Sequence, residues 1–97
     1  IEDNTFNGCV SLTNISLPHS LEEIKFGAFI KCISIKSITL YSDISIEGFA
    51  FYGCKSLSNF NSRIINSIGE DAFTGCKSLK EKPVVGDGYS SLYCNIF

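Results

Sequence analysis

The stretch "FAFYGCKSL" at residues 49–57 is written again, almost letter for letter, as "DAFTGCKSL" at 71–79. Weaker copies stand upstream, "NTFNGCVSL" at 4–12 and "GAFIKCISI" at 27–35. Aligned on their cysteines, Cys9, Cys32, Cys54 and Cys76, the copies are spaced by 23, 22 and 22 residues. The same register stacks Phe6, Phe29, Phe51 and Phe73, and carries other columns with it: Ile1, Ile24, Ile46 and Ile68; Thr5, then Ala28, Ala50 and Ala72; Ser11, Ser34, Ser56 and Ser78. Leu12, Ile35, Leu57 and Leu79 follow the serines. Agreement over this many columns is not a composition effect.

A period in the low twenties is too short for paired helices and suits one strand plus one compact return segment per coil, stacked as a solenoid. The strand is expected in "LTNISLP" at 12–18 and again in "IKSITLY" at 35–41. There Ile15 and Leu17, and then Ile38 and Leu40, alternate inward, leaving Asn14, Ser16, Ser37 and Thr39 outward. The return segment holds Phe and Cys three residues apart, which share one face of a helical or 3₁₀ turn and point into the coil. Repeat three departs by placing Phe60 and Ser62 in its strand, and repeat four by putting Lys82 where an inward apolar residue is expected.

These columns resemble the BspA-like type of leucine-rich repeat, whose coils read Ser-Leu, an Ile, Leu-Pro, and later Ile followed by Ala-Phe and Cys. "CVSLTNISLPHSLEEIKFGAF" at 9–29 matches nearly end to end. The resemblance implies a repeat solenoid of about four 22–23-residue coils, starting near residues 1, 24, 46 and 68 and spanning 1–82, with a cap and tail over 83–97. Its first residue, Ile1, opens a coil, so further repeats are expected upstream.

Composition narrows function. The chain has 97 residues, enough for one domain, with 44% hydrophobic residues and a formal charge of −2. Its eight Lys and Arg are scattered, so it lacks the basic patch that draws proteins to nucleic acid. The cysteines have no Cys-x-x-Cys spacing and His19 is the only histidine, which leaves a zinc site without ligands. Parallel side chains in a stack rarely meet disulfide geometry, so the ladder thiols read as small buried hydrophobes without a base to activate them. His19, in the polar turn "LPHS", reads as solvated. No catalytic residue, cofactor or small-molecule substrate is expected.

The tail "GDGYSSLYCNIF" leaves the repeat register, and Cys94-Asn95-Ile96-Phe97 has the form C-a-a-X, with Phe97 favouring geranylgeranyl transfer. A chance match to this loose pattern is the competing reading. Members of the resembled family in amoebic parasites combine such repeats with terminal C-a-a-X boxes, which implies prenylation of Cys94. Two roles stay open: a prenyl-anchored interaction module at the cytoplasmic face of a membrane, or a surface or secreted adhesion module, as the bacterial relatives imply. In the second role Asn14-Ile15-Ser16 is a possible glycosylation sequon. Either role would use the outward positions Asn14, Ser16, Ser37, Thr39, Tyr41, Asn59, Asn61 and Arg63, with Tyr41 and Arg63 as anchors for a protein partner. The same residues would also suit an ordinary solvated strand face.

Overall fold

The computed structural model describes residues 1–80 together with Pro83 and Val85; Lys82 and the tail bearing Cys94 lie outside the described residues. Each middle coil holds two short strands, not one. The first set comprises β1 (Glu23–Ile24), β3 (Ile44–Ile46) and β5 (Ile65–Ile68); the second comprises β2 (Ser37–Thr39) and β4 (Asn59–Asn61). β1, β3 and β5 form one parallel sheet, and β2 and β4 form another. The extra strand begins the coil, where the alternation of Ile44 and Ile46 buries both side chains around half-buried Ser45. β3 and β5 pair with a bulge between Ile44 and Ser45, which lets Ile44 face Ile65 while Ile46 stays opposite Ile68.

The return segment keeps the expected i to i+3 bonds without forming a helix. Cys9, Cys32, Cys54 and Cys76 donate their N–H to Phe6, Phe29, Phe51 and Phe73, at 3.0 to 3.2 Å. The alternate amides leave the coil: Asn4, Phe6 and Gly8 donate to the carbonyls of Phe26, Ala28 and Ile30, and Gly27, Phe29 and Lys31 donate to those of Gly48, Ala50 and Tyr52. Phe49, Phe51 and Gly53 then donate to Glu70, Ala72 and Thr74. Two left-handed residues per coil produce this alternation, first Asn4, Gly27, Phe49 and Asp71, then Gly8, Lys31, Gly53 and Gly75. They interrupt the turn before a second helical turn can form.

Inside, Phe6, Phe29, Phe51 and Phe73 stack at centroid separations of 5.2 to 5.3 Å with rings within 14° of parallel. Ile24, Ile35, Ile38, Ile44, Ile46 and Leu57 fill the rest of the core, each at most 1% exposed. Phe60 conforms to the repeat after all. It pairs in register with Ile38 and sets its ring edge-on to Phe51 and Phe73, at 5.4 and 5.1 Å. Ser62 is exposed, so only that position departs from the inward column.

The strand expected over 12–18 does not join its sheet. Ile15 and Leu17 do lean against the core, half-buried, yet no backbone bond among the described residues joins 13–17 to β2. The first coil has one residue more between Leu17 and Ile24 than the second has between Leu40 and Ile46. With the return segments already zipped, that extra residue lets the strand of the first coil stand away from β2.

Two substitutions probe this architecture by chemical denaturation. Phe51→Ala empties the middle of the ring stack and is expected to cost about 3–5 kcal/mol. Gly69→Ala drives a methyl into the backbone of Gly48 and is expected to destabilise by about 1–3 kcal/mol or more, although no apolar contact is removed. A neutral Gly69→Ala would show that the coils are not in this close approach.

Candidate protein-binding face

β2 and β4 pair in parallel with Ser37 opposite Asn59, Ile38 opposite Phe60 and Thr39 opposite Asn61. That register turns Ile38 and Phe60 inward and brings the outward side chains of two coils level. All eight sequence-predicted face residues, Asn14, Ser16, Ser37, Thr39, Tyr41, Asn59, Asn61 and Arg63, are exposed. Ser37, Thr39, Asn59 and Asn61 lie side by side on the β2–β4 sheet, while Asn14 and Ser16 stand across an open groove from it.

The two expected anchors differ. Tyr41 is 51% exposed, and the His19 ring lies against it with centroids 4.1 Å apart. His19 is therefore exposed as expected but also part of an aromatic pair, and the hydroxyl of Ser42 donates to its carbonyl. The bonded Ser42 and the tilted ring contact hold the turn of the first coil against the second. Arg63 leans toward the coil corner, its Nε 3.6 Å from Asp43 Oδ1. It borders a depression with Glu22, Glu23, Ser45 and Asn66. An exposed pair of this kind is worth little energy, but it turns the guanidinium away from the uncharged strand face.

The cysteine ladder is packed into the same core. Cys32, Cys54 and Cys76 are buried free thiols and Cys9 is half-buried. Each buried Sγ donates to the Phe carbonyl of the preceding coil: Cys32 to Phe6 at 3.1 Å, Cys54 to Phe29 at 3.0 Å and Cys76 to Phe51 at 3.1 Å. Those carbonyls already accept the N–H three residues on, so the thiol fills a second lone pair inside the core. Burial, with the neighbouring Cys54 behind it, pushes the Cys32 thiol up to about 11. The hydrogen bond with the Cys76 thiol, followed by burial, pushes Cys54 up as well. No group of three metal-ligating side chains converges among the described residues.

Sequence reasoning missed a second aromatic cluster on the return side. Phe26 is 44% exposed and its ring lies 5.5 Å from that of Phe49, which in turn lies 5.2 Å from Tyr52. Phe49 also occupies a left-handed position, φ 59°, in a column otherwise held by Asn, Gly and Asp. The interruption of that column by an aromatic residue was the available signal.

The description "BspA type Leucine rich repeat region (6 copies)" matches residues 1–96. The chain belongs to this family. Among solved structures, a leucine-rich repeat protein from Bacteroides ovatus is 42% identical and superposes with a TM-score of 0.74, covering 81% of this chain and 21% of that one. The chain thus spans about a fifth of the length of that neighbour. No curated protein matches.

The raised thiols give a pH dependence with a definite sign. The folded state keeps the Cys32 proton that an unfolded thiol surrenders near 9, so the stability linked to that proton is fully present below pH 9 and is lost as pH rises toward 11. Denaturation midpoints are expected to hold steady from pH 7 to 9 and to fall above it, with Cys32→Ala flattening the fall. In native protein at neutral pH, a thiol reagent is expected to modify Cys9 well before Cys32 or Cys54. Rapid labelling of Cys32 and Cys54 without denaturant would contradict the buried ladder.

Proposed function

We propose that this repeat docks a protein partner on the strand face formed by Asn14, Ser16, Ser37, Thr39, Tyr41, Asn59, Asn61 and Arg63, and that prenylation of Cys94 brings it to the cytoplasmic face of a membrane. The observation that carries the docking reading is the common exposure of those eight residues, with the His19–Tyr41 aromatic pair at the border of the face and the Arg63 guanidinium drawn to Asp43 beside it. Short polar side chains lose little rotamer entropy on contact, and Tyr and Arg are the residue types that most often dominate interface energy. Support for the anchor is the C-a-a-X pattern at 94–97, which lies outside the described residues. One isoprenoid chain with weak flanking basic charge gives modest attachment, so a bound partner would reinforce it.

A second reading, surface or secreted adhesion, is favoured by one observation: Asn14 of the Asn14-Ile15-Ser16 sequon is exposed and its segment pairs with no strand. That is the accessibility a glycan addition needs. From outside the cell it would employ the part of the face that a glycan on Asn14 leaves open, Ser37 to Arg63.

Photo-crosslinking groups placed at Asn61, and separately at Glu70 on the return side, test the docking reading in cells producing the whole protein. Adducts with a discrete protein from Asn61, absent from Glu70, are expected; equal adducts from both would remove the face. For the anchor, native protein and Cys94→Ser are compared by detergent partitioning and intact mass. The native form is expected to carry an isoprenoid and to enter the detergent phase. Equal partitioning without added mass would pass the reading to adhesion.

A further inference from the structure

The strand face is not a continuous sheet, and the place where it opens has the chemistry of a binding site. The first two coils are closed along the return side by the bonds from Asn4, Phe6 and Gly8, and again where Lys25 donates to Ile1. On the strand side they part over residues 13–17, between the bond from Ser34 to the Val10 carbonyl at one end and that from Ser42 to the His19 carbonyl at the other. Between them runs a groove of about 360 Å³, walled by Asn14, Ile15, Ser16 and Leu17 on one side and by Ser37, Thr39 and Tyr41 on the other, with His19 at its end.

In a parallel ladder alternate residues direct both their N–H and C=O to opposite neighbours. The Lys36 carbonyl and the Leu40 N–H are engaged with the third coil, accepting from Asn59 at 3.2 Å and donating to Asn61 at 2.8 Å. Even-numbered residues of this segment therefore face β4, and the main-chain groups of Ser37 and Thr39 face the groove. β2 pairs with β4 alone, so those groups form an open strand edge, a template for an added strand.

We propose that this groove binds a short, extended, uncharged peptide segment of a partner protein by β-addition to the Ser37–Thr39 edge. This deepens the docking reading above and rests on it. The occupant follows from the walls. Main-chain donors and acceptors at Ser37 and Thr39 suit a peptide backbone, and the three residues of β2 set the length of the pairing. Half-buried Ile15 and Leu17 offer apolar surface to one inward side chain, while Ser16, Ser37 and Thr39 meet its polar neighbours. None of the eight lining residues is Lys, Arg, Asp or Glu, so a charged segment would be desolvated without a counter-ion. The His19–Tyr41 pair closes the end with aromatic surface for an aromatic or proline side chain.

Amide hydrogen exchange followed by NMR tests the proposal on the whole chain, with a capped hexapeptide of alternating Thr and Val as probe. In the free protein the Ser37 and Thr39 amides are expected to exchange much faster than those of Ile38 and Leu40. Saturating peptide is expected to slow Ser37 and Thr39 by about tenfold, the factor that one added hydrogen bond supplies. The same peptide N-methylated at every residue keeps its side chains but loses its donors, and is expected to have no effect. Thr39→Pro, which removes a groove-facing N–H at a sheet edge where Pro is tolerated, should weaken peptide binding while the Leu40 amide, bonded to the Asn61 carbonyl, keeps its protection. Ser37 and Thr39 amides already as protected as Ile38 would mean that the first coil closes on β2, and the proposal falls. Equal effects of both peptides would also overturn it. Crosslinking from Asn61 in the absence of peptide protection would leave the face standing and discard the groove.

Discussion

The carbonyl of the stacked phenylalanine is the group on which the coil depends. It lies in an apolar interior at Phe6, Phe29 and Phe51, where an unmet lone pair is costly. Two donors reach it in every case, the amide three residues along and the thiol of the next coil's cysteine. One donor fixes the turn within a coil and the other fixes the distance to the next coil. The Phe rings stacked at 5.2 to 5.3 Å and the β-ladders, with their spacing of about 4.8 Å, then share nearly the same rise per coil. Alanine beside Phe29, Phe51 and Phe73 keeps the backbones close there; beside Phe6 the position is held by Thr5. Cysteine is retained because it combines a small apolar volume with a weak donor; valine would fill the space and leave the carbonyl half-satisfied.

This explains why the return segment is uniform while the strand face is not. Every alternate amide there must leave its coil in the same direction, and left-handed residues four apart make that possible. Where the column holds Asn, Gly or Asp the conformation is ordinary. Lys31 and Phe49 adopt it at a cost of order 1 kcal/mol each, supported by the bonds on both sides. Outward strand positions answer to no such requirement, so their short polar residues are free to follow a partner. The serines before each Leu or Ile are an intermediate case: Ser34 and Ser78 donate to the Val10 and Lys55 carbonyls of the preceding coil at 2.6 and 2.7 Å, partly exposed.

What the sequence reveals follows from the same division. Ile24, Ile46, Phe29, Phe51, Cys32 and Cys54 each stack on a copy of themselves, so the columns that carry the core are visible as repetition. The outward face is visible by alternation. The second strand of each coil is present in Ile44 and Ile46, but two alternating residues are too few to separate a strand from a turn. The standing-off of residues 13–17 is not local at all. It arises from one added residue beyond Leu17, acting against a return segment that is already fixed, and no pattern within "LTNISLP" records it. The left-handed conformation of Phe49 is legible only as the break it makes in a column of Asn, Gly and Asp, because the bond that its amide makes goes to Glu70 of the next coil.

A solenoid closed on one side and open on the other is suited to binding without rearrangement. The return ladder, the ring stack and the thiols hold the first and second coils at a fixed separation along one edge. Opening at the strand edge therefore requires no break in the core, only the absence of the ladder bonds that residues 13–17 would otherwise make. Those residues stay placed by Ile15 and Leu17 against the core and by His19 against Tyr41. A strand arriving at Ser37 and Thr39 meets an edge whose partner strand β4 is already formed and whose opposite wall is already positioned. Its ordering cost falls on the incoming segment and not on the protein, which is the condition under which a few main-chain hydrogen bonds suffice for recognition.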